Sequence, residues 1–272
     1  MQAWSRARRA EGRSIACVPT MGALHAGHLS LIEHARTRGD LVVVTIFVNP
    51  LQFNRGDDFD HYPRPIDDDL DKCRAAEVDA VYAPSAATMY PSEFQTHVEP
   101  GSLADSLEGA GRPGHFRGVT TVVAKLFGAV QPDVAIFGQK DLQQLAVIRR
   151  MVADLDMDIE IVGAPTVRSP DGLAISSRNQ RLSPDDRSAA LCIVQGLRLA
   201  AQALNQGERD PQRLISVATA RVDAEPRAKV EYISIVDPLT LQPVGDAIQP
   251  AVMVVAVWFG DVRLIDNLQL FP

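Results

Sequence analysis

The chain has 272 residues, which is enough for one or two domains with a full hydrophobic core. Its composition, 46% hydrophobic and 22% charged, is typical of a soluble globular protein. A net charge of −7 and a single short basic cluster, at residues 6–9, argue against nucleic-acid binding, which needs a basic face. The longest apolar runs, residues 41–48 and 251–259, are too short to span a bilayer, so we expect no membrane partner.

The first residues and the three cysteines bear on the cellular compartment. The first residues are basic, but no apolar segment follows them before Ser14, which argues against a secretory signal. Cys17, Cys73 and Cys192 show no CxxC spacing and are expected to be small buried thiols. Because reduced thiols are typical of a reducing compartment, we predict a cytoplasmic protein.

Strands and helices alternate in the first 165 residues. An apolar strand at 14–18 precedes an amphipathic helix at 29–38, and 40–48 is a continuous apolar run typical of a buried parallel strand. The elements predicted after these are a helix at 66–76, a strand at 78–83, a brief helix near 103–107, a helix at 119–130, a strand at 133–137, a helix at 142–155 and a strand at 158–162. This alternation predicts a Rossmann-like parallel sheet.

The last third of the chain has a different order of elements. The predicted helices at 184–204 and 211–222 are followed by strands at 229–236, 251–258 and 262–265. Such an order is typical of a separate α+β domain. The predicted fold class is therefore α/β, with a Rossmann-like N-terminal domain (residues 1–165) and a smaller α+β C-terminal domain (residues 166–272) that closes as a lid.

The segment VPTMGALHAGH, at residues 18–28, joins the first predicted strand to the first helix. A helix N-terminus offers unpaired N–H groups and the positive end of the helix dipole. Gly27 lets the backbone approach a ligand closely, and the imidazoles of His25 and His28 can each donate a hydrogen bond without a permanent charge. The segment therefore predicts a site for nucleotide phosphates.

Four other segments offer groups that suit an anion or a metal ion. Lys140 stands at a strand-to-helix turn, and the Ser-Ser-Arg sequence at 176–178 is either a phosphate site or a polar interdomain hinge. The loop at 112–118, with two arginines and a histidine, either contacts an anion or is solvated. For the aspartates at 67–69, we favour a role in complementing a helix dipole over a role in holding a divalent ion.

Missing motifs argue against several enzyme classes. The sequence has no GxGxxG after its first strand, no GxxxxGK[ST] and no GxSxG, which disfavours a dinucleotide oxidoreductase, a P-loop ATPase and an α/β-hydrolase. Zinc binding by His25, His28 and His34 is disfavoured, because these residues lack i, i+4 spacing and a nearby cysteine or carboxylate ligand. The remaining donors fit stabilisation of a triphosphate as its α-phosphorus is attacked.

Six segments carry a family resemblance: PTMGAL at 19–24, HAGH at 25–28, FVNPLQF at 47–53, RPGHFRG at 112–118, FGQKD at 137–141 and SSRN at 176–179. HAGH resembles the HxGH signature of nucleotidyltransferases, and the whole set resembles the pantothenate synthetase family of pantoate–β-alanine ligases. The resemblance covers nearly the whole chain. It implies ATP-dependent condensation of pantoate with β-alanine in coenzyme A biosynthesis, through a pantoyl adenylate, with release of pyrophosphate and AMP.

The resemblance also implies roles for individual residues. His28, Lys140 and Arg178 would be catalytic, while Gln52 and Gln144 would bind pantoate and Gln52 would also lie near β-alanine. The residues implied in ATP binding are Met21, Gly22, Ala23, Leu24, His25, Ala26, Gly27, His28, Gly138, Gln139, Lys140, Asp141, Val167, Ile175, Ser176, Ser177 and Arg178. The family uses Mg²⁺, through ligands left unassigned here, and forms homodimers through the N-terminal domain.

Two positions depart from forms often seen in the family. Ile175 replaces a methionine, which should matter little because both side chains are apolar and of similar volume. Gln139 stands where a glutamate can occur, which removes a possible charge near phosphate. Two other functions stay open: an HxGH adenylyltransferase acting on a phosphorylated substrate, and a nucleotide-binding regulatory module without turnover.

Overall fold

The computed structural model describes residues 1–53, 59–60, 62–245 and 250–270, which form two compact units. The N-terminal unit consists of Met1–Gln139 and Gln143–Pro165, and the C-terminal unit of Lys140–Leu142 and Thr166–Pro272. The short segment Lys140–Leu142 therefore belongs to the C-terminal unit, although the chain on both sides of it belongs to the N-terminal unit.

The N-terminal unit is built on a five-stranded parallel sheet, which confirms the predicted Rossmann-like fold. The strands are β1 (Ile15–Thr20), β2 (Leu41–Ile46), β3 (Ala80–Tyr82), β4 (Val134–Gly138) and β5 (Glu160–Ala164). Their spatial order is β3-β2-β1-β4-β5, so the direction of winding reverses between β1 and β4. In open sheets of this kind, ligands bind outside the carboxyl ends of the strands at this reversal.

The central strands are apolar throughout because both faces of the sheet are covered. In β1, Ile15 and Cys17 pack into one hydrophobic cluster, whereas Ala16 and Val18 pack into another. All six residues of β2 are buried. Since side chains alternate between the faces of a strand, a strand covered on both sides shows a continuous apolar run rather than alternation.

Helices and short 3₁₀ turns connect these strands. The helices are α1 (Gln2–Ala10), α2 (Ala26–Arg36), α3 (Ile66–Ala75), α4 (Ala86–Met89), α5 (Glu108–Gly111), α6 (His115–Val130) and α7 (Leu142–Asp154). The 3₁₀ turns are Pro50–Gln52, Ser102–Ala104 and Gln139–Asp141. Helix α1 was not predicted: its sequence is polar on average, although Trp4 packs against the core.

Helix α6 begins four residues before its predicted start at residue 119. Gly114 has a φ of +80°, which turns the chain sharply and lets the helix start at His115. The prediction of a loop over 112–118 is therefore wrong for its second half, which forms the first turn of α6.

The C-terminal unit contains a separate antiparallel sheet, as the α+β prediction requires. Its strands are β6 (Ala228–Val236), β7 (Val252–Phe259) and β8 (Val262–Gln269), in the order β6-β7-β8. Its helices α8 (Pro184–Ala189), α9 (Leu191–Asn205) and α10 (Pro211–Asp223) contribute to one hydrophobic core with this sheet. The single helix predicted at 184–204 is two helices that meet at Ala190.

None of the helices in the described part of the chain is both long enough and apolar enough to cross a membrane.

The three cysteines are free and buried, with exposed fractions of 0% for Cys17, 2% for Cys73 and 1% for Cys192. Burial raises the pKa of the Cys17 and Cys73 thiols and raises the pKa of Cys192 to about 11. Because the thiolate is the reactive form, we expect no cysteine of the native protein to react with Ellman's reagent at neutral pH, and all three to react in guanidinium chloride. Stoichiometric labelling of a native thiol would contradict this.

Candidate active site

The loop between β1 and α2 is fixed to the neighbouring strand by a threonine. The Thr20 hydroxyl donates to the carbonyl oxygen of Thr45 at 2.7 Å and accepts the N–H of Gly22 at 3.1 Å. Both threonines are buried. The predicted phosphate loop therefore leaves the carboxyl end of β1 in a defined direction, beside the point where the sheet order reverses.

The two histidines of the HAGH segment cap the N-terminus of α2. Nδ1 of His25 accepts the backbone N–H of Gly27 at 3.1 Å, and Nδ1 of His28 accepts the backbone N–H of His25 at 3.4 Å. The two rings are stacked, with centroids 4.1 Å apart. A Cβ atom on residue 27 would lie 2.9 Å from Cε1 of His25, so this stacked arrangement requires a glycine there.

The caps determine which nitrogen of each ring carries the proton. A ring nitrogen that accepts a backbone N–H has no proton of its own, so each neutral imidazole carries its proton on Nε2. His25 and His28 therefore each present an Nε2–H donor at the N-terminus of a helix. The dipole of a helix favours anions at its N-terminus, and two imidazole donors there suit the oxygens of a phosphate chain.

The aspartates at 67–69 differ in their surroundings. Asp67 and Asp68 are exposed in the first turn of α3, as expected for residues that complement a helix dipole. Asp69 is buried, and its carboxylate accepts the backbone N–H groups of Ala23 and Leu24. Among the described residues, no three His, Cys, Asp or Glu side chains form a potential metal site. Neither the helix-dipole interpretation of these aspartates nor the metal interpretation included the hydrogen bonds that Asp69 accepts from Ala23 and Leu24.

Gln52 lies in the 3₁₀ turn that follows β2, and its side chain is buried. Its Oε1 accepts from Nδ2 of Asn49 at 3.0 Å, and its Nε2 donates to the sulfur of Met21 at 3.0 Å. Asn49 is held in turn by the hydroxyl of Tyr90, which donates to Asn49 Oδ1 at 2.7 Å. Burial raises the pKa of Tyr90, so this hydroxyl keeps its proton.

Arg112 and His115, from the segment whose role was left open, hold the backbone of Gln52. The carbonyl oxygen of Gln52 accepts from Arg112 at 3.2 Å and lies 2.8 Å from Nδ1 of His115. Because Arg112 also contacts Nε2 of His115, at 3.2 Å, that nitrogen accepts and Nδ1 carries the proton. These contacts position Gln52. The alternative of a solvated loop therefore does not hold for Arg112 and His115.

Two neighbouring glutamines at the start of α7 have different surroundings. Gln143 is buried; its Oε1 accepts the N–H of Glu108, and its Nε2 donates to the carbonyl oxygens of Leu103 and Ser106. It therefore anchors the irregular segment around 102–108. Gln144, the predicted pantoate ligand, is half-buried beside it.

Gln139 follows Gly138, the last residue of β4. Its Nε2 donates to the carbonyl oxygen of Gly163 in β5 at 3.2 Å. An ionised glutamate has no N–H and could not make this bond. A glutamine in place of the glutamate that can occur in the family at position 139 therefore adds a hydrogen bond to β5 as well as removing a charge.

In the C-terminal unit, Lys140, Ser176 and Arg178 line one small pocket, together with Asn179 and Asp266. The Ser176 hydroxyl accepts the N–H of Arg178 at 3.3 Å and caps the 3₁₀ turn Ser177–Arg181. The structure thus groups three of the sequence-predicted residues around one cavity, which Arg263 also lines.

Residues of β8 support this pocket. Nδ2 of Asn267 donates to the backbone carbonyl of Lys140 at 2.9 Å. Arg168 makes a two-point ion pair with the buried carboxylate of Asp266, at 2.6 and 2.9 Å. The loop from Val167 to Ile175 is closed by a hydrogen bond in which the N–H of Ile175 donates to the carbonyl oxygen of Val167 at 2.9 Å. Asn267 and Asp266 gave no signal in the sequence, because their partners are far away along the chain.

The predicted residues therefore lie in two groups, each within one unit. The N-terminal group consists of residues 21–28, Gln52, Gly138, Gln139 and Gln144, and the C-terminal group of Lys140, Asp141, Val167 and residues 175–178. Sequence reasoning missed Asn49, Asp69 and His115 in the first group. Asn49 lies inside the segment FVNPLQF and His115 inside RPGHFRG, so their positions in these segments were the available signal for both.

A family model described as pantoate-beta-alanine ligase matches residues 1–269. The chain is 53% identical over 268 residues to the pantothenate synthetase of Heliobacterium modesticaldum, covering 98% of this chain and 95% of that protein. It is 52% identical over 270 residues to the enzyme of the same name from Geobacter sulfurreducens, covering 99% and 95%.

Solved structures give the same result. The crystal structure of a pantothenate synthetase from Thermus thermophilus superimposes with a TM-score of 0.92 at 46% identity, covering 95% of this chain and 94% of that one. A pantoate-beta-alanine ligase from Francisella tularensis, crystallised in complex with beta-gamma ATP and beta-alanine, superimposes with a TM-score of 0.80 at 35% identity, covering 98% and 94%.

Proposed function

Because this chain belongs to the pantoate-beta-alanine ligase family and joins pantoate to β-alanine, we propose that it does so in two steps, through a pantoyl adenylate. The observation that carries this proposal is the pair of capped histidines at the start of α2. They offer two neutral donors and a helix N-terminus at the reversal of a parallel sheet. That arrangement suits the phosphate chain of ATP, the nucleotide also present in the Francisella complex.

In the first step, a carboxylate oxygen of pantoate attacks the α-phosphorus of ATP. A new P–O bond forms, the bond from the α-phosphorus to the bridging oxygen breaks, and pyrophosphate leaves with the electron pair. Charge accumulates on the phosphoryl and leaving oxygens, and donors placed in advance stabilise it. We assign this role to Nε2–H of His28, with His25 as a further contact, and to the cations of Lys140 and Arg178.

In the second step, the amine of β-alanine attacks the carbonyl carbon of the adenylate. The new C–N bond replaces the C–O bond to AMP, and the amine loses one proton. Gln52 is the residue proposed to lie near both pantoate and β-alanine. Its carbonyl is held by Arg112 and His115 and its side chain by Asn49, so the amide is fixed before substrate binds.

Neutral side chains suit the pantoate site for a chemical reason. Gln52 and Gln144 can bind the hydroxyls and the carboxylate of pantoate without neutralising the oxygen that attacks. A cation in their place would hold the substrate more tightly than the transition state, in which that oxygen has lost charge, and would slow the attack.

Mg²⁺, homodimerisation, the lid and the cytoplasmic location stay proposals. We propose that Mg²⁺ accompanies ATP, because Mg²⁺ commonly binds through substrate phosphates. The resemblance implies the homodimer, the cysteines favour the cytoplasm, and the lid is what we expect of the smaller C-terminal domain.

The two-step reaction predicts that pantoate alone supports exchange of labelled pyrophosphate into ATP. Adenylation precedes amine attack, so exchange should require pantoate and Mg²⁺ but no β-alanine. Active enzyme that forms pantothenate without any exchange would contradict the adenylate. The alternative is an adenylyltransferase that acts on a phosphorylated substrate. Such an enzyme would transfer AMP to its substrate instead of releasing it, and β-alanine would have no effect. The β-alanine dependence of AMP release therefore separates the two functions.

A further inference from the structure

A buried carboxylate holds the loop that precedes the capped histidines. Asp69, in the first turn of α3, is 1% exposed. The backbone N–H of Ala23 donates to its Oδ2 at 2.8 Å, and that of Leu24 donates to its Oδ1 at 2.6 Å. Each carboxylate oxygen thus binds one of two consecutive N–H groups. Because both N–H groups are occupied, neither Ala23 nor Leu24 can offer its amide to a phosphate.

The loop that Asp69 holds has an unusual backbone conformation. Gly22 has a φ of +82° and Ala23 a φ of +51°, both in the left-handed region. A residue with a Cβ atom occupies that region only at a cost, and it stays there when surrounding contacts fix it. A Cβ atom on Gly22 would lie 2.8 Å from Oδ2 of Asp69, so the carboxylate is in contact with the loop backbone itself.

Lys72 adds a third contact from the same helix. Its ammonium group donates to the carbonyl oxygen of Leu24 at 2.7 Å and to the exposed carboxylate of Asp68 at 2.6 Å. The N–H and the carbonyl of Leu24 are therefore both held by α3. Leu24 directly precedes His25, the N-cap residue of α2, so α3 determines how the chain enters the capped helix.

We propose that Asp69, supported by Lys72, is a positioning residue for the ATP-dependent half of the reaction. It fixes residues 22–24 so that the two histidines at the start of α2 face the phosphates. This inference rests on the proposed function and adds a residue outside the motifs. The pantoate side is held mainly by other residues, since Gln52 is fixed by Asn49, Arg112 and His115, none of which belongs to α3. Its bond to the loop goes to the sulfur of Met21, which precedes the residues that Asp69 holds.

The substitution Asp69→Asn tests this proposal. An asparagine has one acceptor oxygen, so its NH₂ group would face one of the two backbone N–H groups and leave it unpaired. We expect kcat/KM for ATP in the exchange reaction to fall by about 100-fold, the loss expected when reacting groups are displaced by about 1 Å. The KM for pantoate should stay as in the wild type, a split that general destabilisation would not produce.

Gly22→Ala provides an independent test if Asp69→Asn fails to fold. It pushes on the same carboxylate from the loop side and should give the same split, with raised KM for ATP and unchanged KM for pantoate. The double variant should lose less than the sum of the single losses, because both changes break one contact. Asp71→Asn, the same loss of charge on α3 at a side chain that is 75% exposed, is the matched control and should behave as wild type.

Unchanged ATP kinetics in Asp69→Asn, or equal losses for ATP and pantoate in both variants, would overturn the proposal. Calorimetric titration with ATP separates it from the proposed function. Wild-type protein that binds ATP but supports no pantoate-dependent exchange would refute the function, while weaker ATP binding by Asp69→Asn than by Asp71→Asn would still support the role of Asp69.

Discussion

Replacing His28 with alanine should reduce pantoate-dependent pyrophosphate exchange by about 10³-fold, the range for removing one donor that stabilises transition-state charge. The expected loss is large because the capping geometry places the proton of His28 on Nε2, at a helix N-terminus where phosphate charge develops. The fold should be affected far less. The substitution removes one cap acceptor, which lowers the free energy of unfolding by about 1 kcal/mol.

Two further substitutions separate the cap from the donor. The Oδ1 of His28→Asn can replace Nδ1 as the acceptor for the N–H of His25, but no donor remains at the position of Nε2. His28→Gln places an amide N–H near that position and leaves the cap poorly formed. We expect the glutamine variant to retain more exchange activity than the asparagine variant, and the asparagine variant to retain more thermal stability.

His34→Ala is the matched control, since it removes a half-buried imidazole from the same helix, six residues further on. It should leave the exchange rate unchanged. The assignment of His28 would be wrong if His28→Ala kept a rate close to that of the wild type, or if the asparagine variant were the more active of the two isosteres.

The sheet and the start of α2 followed from local sequence patterns. The run at 40–48 predicted a strand buried on both faces, and β2 is buried along its length. The HAGH segment predicted a helix N-terminus, and α2 begins at Ala26. Patterns of this kind are readable because neighbours in sequence determine them, through periodicity, caps and glycines.

The supporting contacts did not follow from the sequence, because they join residues that are far apart along the chain. Asp69 is 46 residues from Ala23, and Asn267 is 127 residues from Lys140. Asp69 also stands among exposed aspartates at a helix start, which offered a sufficient local explanation for it. The start of α6 was misplaced for a related reason, since Gly114 turns the chain inside a segment that reads as one continuous loop.

Lys140 should matter almost as much as His28, and its position at a strand-to-helix turn, within FGQKD, was the sequence signal for it. Among the described residues, Lys140–Leu142 is the only segment of the C-terminal unit that has the N-terminal unit on both sides of it along the chain. The side chain of Lys140 is 15% exposed. Its carbonyl is held by Asn267, and the residue lines a pocket with Ser176 and Arg178. We propose that this cation binds the phosphate oxygens on which charge accumulates.

Lys140→Met keeps the length of the aliphatic side chain and removes the charge, so we expect exchange to fall by about 10²- to 10³-fold with little change in melting temperature. Asn267→Ala should give a smaller loss, because it releases the Lys140 backbone without removing the charge.

Lys229→Met, at an exposed lysine of β6 in the same unit, is the matched control and should retain full activity. If Lys140→Met and Lys229→Met had equal rates, the ammonium group of Lys140 would have no role in adenylation. If Asn267→Ala lost as much as Lys140→Met, placement of the lysine would matter as much as its charge.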